Sequence, residues 1–168
     1  MGNVDIYVID SRSDMVMAAD RALTIGDIGI TGVRDLVRQV GKECAGGDKV
    51  RELRIVGHGS ENGQYFGRDW IDDISVDAYA MEWLTLKSYF DRSVGLLTLG
   101  GCKVGQAELL LVKLSHYLGV PARGFRTFQN PIIPGDEGGE TRCTYYGCER
   151  TTKDYTVYDE ASKNAFNW

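Results

Sequence analysis

The sequence predicts an α/β fold, a mostly parallel β-sheet sandwiched by helices in three α/β/α layers. Three observations predict it. Short apolar runs rich in β-branched residues recur along the chain, longer stretches of helical periodicity separate them, and glycines mark where several runs end. Strands that alternate with helices indicate a parallel sheet, because each parallel neighbour needs a crossover long enough to bring the chain back.

Taken in order, Val4–Ile9 reads as a strand bounded by Asp10-Ser11. Residues 11–30 carry no clear pattern, and Met15–Leu23 is their best helical stretch. Thr31-Gly32 opens a helix with Val33, Leu36, Val37, Val40 and Cys44 on one face, stopped by Gly46-Gly47. Leu53–Val56 is the second strand and runs into Gly57-His58-Gly59-Ser60. Within residues 61–67, Asn62-Gly63 reads as a tight turn between short strands. Residues 76–90 place Val76, Tyr79, Ala80, Trp83, Leu84 and Leu86 at mainly helical intervals.

Leu96–Leu99 is the third strand and runs into Gly100-Gly101-Cys102. The cleanest helix follows, with Ala107, Leu110, Leu111, Leu114, Tyr117 and Leu118 on one face and Gly119 closing it. Ala122–Phe125 is the fourth strand. After Phe128 the pattern dissolves: Pro131, Pro134, Gly135, Gly138 and Gly139 mark a long loop, with Tyr155–Tyr158 as a last edge strand. The 168 residues are long enough for one core and short for two. The chain is therefore read as a single domain, 1–168, with 126–168 its loop-rich C-terminal part.

Charge narrows the function classes. The formal net charge is −5, and Lys and Arg are scattered rather than clustered. Such a surface repels phosphate backbones, so neither nucleic acid nor a membrane surface is an expected partner. No apolar run reaches the ~20 residues of a membrane span. The first residues lack both a basic and an apolar signal region, so no signal peptide is expected.

The cysteines are Cys44, Cys102, Cys143 and Cys148. Thiols are the default in a chain with no export signal. Cys44 falls at a helical core position. Cys143 and Cys148 lie close in sequence and are compatible with a disulfide or with half a metal site. There is no second ligand pair, and the only histidines are His58 and His116, so no metal and no cofactor are expected.

Two strands end alike, in glycine followed by a residue that can do chemistry: Ile55-Val56-Gly57-His58-Gly59 and Leu97-Thr98-Leu99-Gly100-Gly101-Cys102. A crossover of helical length between them sets the strands side by side, and sites in parallel sheets form at the C-terminal strand ends. A thiol of pKa about 8.5 is only a few per cent thiolate at neutral pH, and a neighbouring imidazole favours the ionised form. Cys102 is thus the candidate nucleophile and His58 its acid/base partner. The backbone amides of Gly59 and Cys102 are candidates for an oxyanion hole. His116 falls on the polar face of its helix and is read as a solvated surface residue.

The segment Glu52–Phe125 resembles the caspase-like clan of cysteine peptidases, which holds caspases, metacaspases, clostripain, separase and the self-cleaving domains of bacterial toxins. The strand into His58-Gly59, the Gly63…Gly67 hairpin, the intervening helix, and the strand into Gly101-Cys102 before Val104-Gly105 and a Leu-rich helix carry the resemblance. It is strongest to the short bacterial branches, including the toxin-processing domains. The resemblance implies a cysteine endopeptidase with Cys102 and His58 as catalytic pair, Gly59 as an oxyanion donor, and a protein or peptide substrate. It places the protein in the cytoplasm or, as a bacterial effector, inside a target cell. The toxin-processing branch is activated by inositol hexakisphosphate through a basic surface; no Lys/Arg cluster is visible here, and no activator is assigned.

The clan's P1 pocket lies beside the nucleophile. Asp10, where the first strand ends, would favour Arg or Lys at P1; Arg123 or Arg126 near the fourth strand would instead accept an acidic P1. Two other readings compete. A catalytically silent caspase-like module would bind a partner without cutting it, though silent members usually lose the His or the Cys. An α/β-hydrolase with a Cys nucleophile needs Gly-x-Cys-x-Gly with a late histidine, whereas position 104 is Val104 and His58 precedes Cys102.

Overall fold

The computed structural model describes residues 2–10, 28–127 and 139–151. The expected helix at Met15–Leu23 and the edge strand at Tyr155–Tyr158 lie outside them. Among the described residues, three helices, a mostly parallel seven-stranded sheet and a small three-stranded sheet make up the architecture.

The parallel part consists of β1 (Asn3–Asp10), β2 (Ile28–Ile30), β3 (Lys49–Val56), β7 (Leu96–Leu99) and β8 (Ala122–Phe125). They run β2-β1-β3-β7-β8 across the sheet. All four core strands expected from the sequence are present, and β7 and β8 keep their expected bounds. β3 begins earlier than expected because Val50 continues the buried face while Lys49 and Arg51 stay exposed. The His-bearing and Cys-bearing strands are direct neighbours, with Leu53 opposite Leu97 and Ile55 opposite Leu99.

The long-loop reading of 126–168 is corrected within 139–151. There β9 (Glu140–Thr144) and β10 (Gly147–Arg150) form an antiparallel hairpin, and β9 extends the sheet against β8. Thr141 and Cys143 point inward while Arg142 and Thr144 face out, so the two-residue period is real. Thr and Cys fill the inward positions that an apolar pattern would have marked.

Between β3 and β7 sits a three-stranded antiparallel unit of β4 (Gly59–Ser60), β5 (Gly63–Phe66) and β6 (Asp69–Asp72). Ser60 pairs with Gly63, so Glu61 and Asn62 make the turn and Gly63 already belongs to the strand. The turn is one residue earlier than expected.

Helix α1 (Val33–Glu43) buries Val33, Leu36 and Val40, spaced to share one face. Its start is fixed from outside, since the Asp69 carboxylate accepts the Val33 N–H at 2.9 Å. The helical stretch expected over 76–90 divides into a 3₁₀ turn (Ser75–Tyr79) and helix α2 (Ala80–Lys87). Trp83 holds the junction: its indole N–H donates to the Val76 carbonyl at 2.8 Å, and its ring packs edge-on to Phe66 and Tyr79. Helix α3 (Glu108–Leu118) buries Leu110, Leu111, Leu114 and Leu118 and ends at Gly119, whose φ of 69° is the left-handed cap glycine favours. Truncating one of these leucines to alanine costs about 2–5 kcal/mol.

The helices were expected on both faces of the sheet. Helix α2 packs against both α1 and α3, so the three described helices form one layer, while the further helix expected at Met15–Leu23 lies outside the described residues. They cover the face carrying Ile6, Val8, Leu53, Ile55, Leu97 and Leu99. The opposite face carries Tyr7, Ile9 and Phe125 beside Glu52, Arg54, Thr98 and Arg123, with Ile9 and Phe125 buried. There Arg123 bonds Thr98 and pairs with Glu52 and Glu140.

Candidate active site

β3 and β7 end side by side, and the segments leaving them touch. Gly59 is packed so tightly that a Cβ there would lie 3.0 Å from the Gly101 Cα and 3.1 Å from the Cys102 carbonyl oxygen. A side chain at residue 59 would push that loop away by a few tenths of an ångström. His58 is exposed and Cys102 half-buried. Gly57, beneath His58, is required as well, because a Cβ there would meet the Tyr65 carbonyl oxygen at 2.6 Å.

Backbone hydrogen bonds pin both loops. The His58 carbonyl accepts the Tyr65 N–H at 2.8 Å, tying the histidine segment to β5. On the cysteine side, Gly100 N–H donates to the Ile55 carbonyl at 2.8 Å and Lys103 N–H to the Thr127 carbonyl at 2.9 Å. The Gln106 side-chain amide donates to the Arg126 carbonyl at 2.8 Å. The cysteine loop is thus fastened to β3 on one flank and to the end of β8 on the other. Lys103, directly after Cys102, has φ 58° and is the sole described non-glycine residue with positive φ. A left-handed residue with a side chain costs about 1–2 kcal/mol, and such outliers cluster at functional sites.

One participant was not legible in the sequence. Gln64 is fully buried on β5, its Oε1 accepting the Gly101 N–H at 2.7 Å and its Nε2 donating to the Ile55 carbonyl at 2.8 Å. A glutamine in a short, glycine-bounded hairpin reads as a solvated residue. Only the parity of β5, which puts Gln64 and Phe66 on one side, would have exposed it.

The remaining candidates separate clearly. Asp10 ends β1 and is buried at 2% exposure, with its Cβ 3.5 Å from where a Cβ on Gly57 would stand. It therefore lies beside the segment leading to His58. Arg123 does not reach the strand ends: its guanidinium is held by Glu52 at 3.1 Å and Glu140 at 3.3 Å, and Glu52 pairs with Leu96 at the start of β7. Arg126 donates to the Thr141 hydroxyl at 3.1 Å and lies 3.5 Å from the Glu108 carboxylate. His116 is exposed on α3, with its ring 4.8 Å from that of Tyr145.

The other thiols differ in kind from Cys102. Cys44 is buried in the core, and burial pushes its thiol above the ordinary value, away from the reactive thiolate. Cys143 and Cys148 face each other across the β9–β10 hairpin and form a disulfide, the first of the two alternatives open from sequence and a departure from the default of thiols. No described helix is long and apolar enough to cross a membrane. No family model, curated protein or solved structure matches the chain.

Proposed function

We propose that the chain is a caspase-like cysteine endopeptidase in which Cys102 is the nucleophile and His58 the proton-transfer partner. The observation that carries this reading is the contact of Gly59 with Gly101 and Cys102, which joins two strand ends whose next side chains are an imidazole and a thiol. The parallel pairing of β3 with β7 and the left-handed Lys103 beside the thiol support it.

In the proposed cycle the Cys102 thiolate attacks the carbonyl carbon of the scissile peptide, and the carbonyl electron pair moves onto oxygen. The Gly59 and Cys102 amides receive that oxyanion. As it collapses, the C–N bond breaks and His58 as imidazolium gives its proton to the leaving amine. A water molecule, deprotonated by His58, then attacks the thioester and releases the acid and the thiolate. The substrate is a protein or peptide. The Cys143–Cys148 disulfide fits a protein that meets an oxidising compartment, which favours delivery as an effector over a purely cytoplasmic life.

The test is a cleavage profile over a peptide library, read by mass spectrometry for wild type and Cys102→Ala. Specific cleavage by wild type, absent from the variant, is the expected result. Identical profiles for the two proteins, or none from wild type, would overturn the reading.

A further inference from the structure

We infer that Gln64 is a positioning residue that sets the direction of the Cys102 amide for the oxyanion, an inference that rests on the cysteine-peptidase reading above. The side chain is wholly out of solvent. Its carboxamide commits both ends to backbone, Oε1 to the Gly101 N–H and Nε2 to the Ile55 carbonyl, which also accepts the Gly100 N–H. One side chain therefore ties the end of the histidine-bearing strand to the Gly100–Gly101 peptide, one peptide before the one that carries the Cys102 N–H.

A buried carboxamide is costly unless both ends are bonded, and a site that required only filling would be served by an apolar side chain. What glutamine adds is direction. Gly101 precedes Cys102, and with no Cβ it leaves the Gly101–Cys102 peptide free to rotate. Anchoring the Gly101 N–H on one side, with the Lys103 N–H held by the Thr127 carbonyl on the other, brackets that peptide and limits where the Cys102 N–H points. The two residues also require each other in space, since a Cβ on residue 101 would lie 2.6 Å from Gln64 Oε1. The amide reaches the loop because residue 101 is glycine, and the glycine is held because the amide reaches it. The next residue, Tyr65, bonds the His58 carbonyl, so one short strand grips both halves of the site.

A misdirected oxyanion donor weakens transition-state binding while leaving ground-state binding and the nucleophile in place. The experiment compares wild type, Gln64→Leu and Gln64→Glu on the best-cleaved member of a fluorogenic tetrapeptide library varied at P1. In parallel it measures Cys102 alkylation by iodoacetamide, a displacement that forms no oxyanion. Gln64→Leu should lose about 10–100-fold in kcat, the scale of a small misplacement, with KM nearly unchanged. Its iodoacetamide rate should stay within about twofold of wild type, far inside the loss expected when an oxyanion donor is removed.

Gln64→Glu supplies the rescue. A neutral carboxyl still offers a carbonyl to Gly101 and an O–H to Ile55, whereas the ionised form has no donor. Its kcat should therefore fall with rising pH in a way wild type does not, while circular dichroism shows the fold intact. If Gln64→Leu does not fold, this pH profile decides. A wild-type kcat in folded Gln64→Leu, a parallel fall of kcat and alkylation, or a wild-type pH profile in Gln64→Glu overturns the inference while leaving the peptidase reading standing. A wild type with no Cys102-dependent hydrolysis overturns the peptidase reading, and the positioning role with it.

Discussion

Gly59 rests on Gly101 with no space for a methyl group: a Cβ at residue 59 would come within 3.0 Å of the Gly101 Cα. The obstructing atoms are backbone on a loop pinned at both flanks, so neither can turn aside as a flexible side chain would. Gly59→Ala should therefore push the histidine and cysteine segments apart by a few tenths of an ångström without unfolding the sheet. Catalysis depends steeply on such placement, and kcat should fall about tenfold to a hundredfold while the melting temperature stays near that of wild type. Steady-state kinetics with a thermal melt checks this. Undiminished kcat would mean that the contact is packing alone.

The placement of Asp10 and Arg123 makes a prediction about P1. Arg123 is engaged by Glu52, Glu140 and Thr98 on the sheet face away from the described helices, which removes it as the receptor for an acidic side chain. Asp10 stays beside the His58 segment. Paired fluorogenic peptides should show cleavage after Arg over Asp. Asp10→Asn should reduce kcat/KM for the Arg substrate about tenfold or more, the scale of a hydrogen bond to a charged group. Arg123→Ala should leave the preference untouched and lower stability by about 1–3 kcal/mol, because it strands two partly buried carboxylates.

The central strands were legible because β-branched runs ended at glycines, and the neighbourhood of His58 and Cys102 followed from parallel pairing of β3 with β7. Two features were not legible, each for a physical reason. The β9–β10 hairpin hides its period behind Thr141 and Cys143, inward residues that no hydropathy pattern marks. Gln64 hides because Tyr65 and Phe66 are both apolar, so the sequence does not say which parity of β5 is buried. Arg123 misled in the opposite sense, since a cation near a strand end suggests an anion site until Glu52 and Glu140, distant in sequence, prove to hold it.

The Cys143–Cys148 bridge closes a short loop across the outermost strand pair. On the chain-entropy account such a loop contributes about 2 kcal/mol, by restricting the unfolded chain. The double variant Cys143→Ala/Cys148→Ala should be less stable by about that amount in urea unfolding. No loss would mean that the hairpin is held entirely by its ladder and by the Arg150–Glu108 pair.

Acid should unfold the protein in a way that single carboxylates can be shown to control. The Ser75 backbone N–H, bonded to Asp72 at 2.7 Å, is the main cause holding its carboxyl below the ordinary value, and the Ile74 N–H and the Trp70 indole also donate to it. Lys113 and Tyr117 lower Asp77 in the same direction. A group whose folded pKa is depressed contributes stability that is present above its unfolded value and lost as pH falls through the folded one. Stability should accordingly drop below about pH 4. Asp72→Ala should cost about 1–3 kcal/mol at pH 7, and urea titrations should show that difference shrinking by pH 3.

The central claim is that Cys102 is a nucleophile served by His58. Labelling with a peptidyl acyloxymethyl ketone, followed by peptide mapping, tests it most directly in wild type, His58→Ala and His116→Ala. The expected result is a single adduct on Cys102, formed at the wild-type rate in His116→Ala and slowed by two or more orders of magnitude in His58→Ala, as loss of one member of a catalytic unit requires. Labelling of Cys44 in preference to Cys102, or an undiminished rate in His58→Ala, would contradict it.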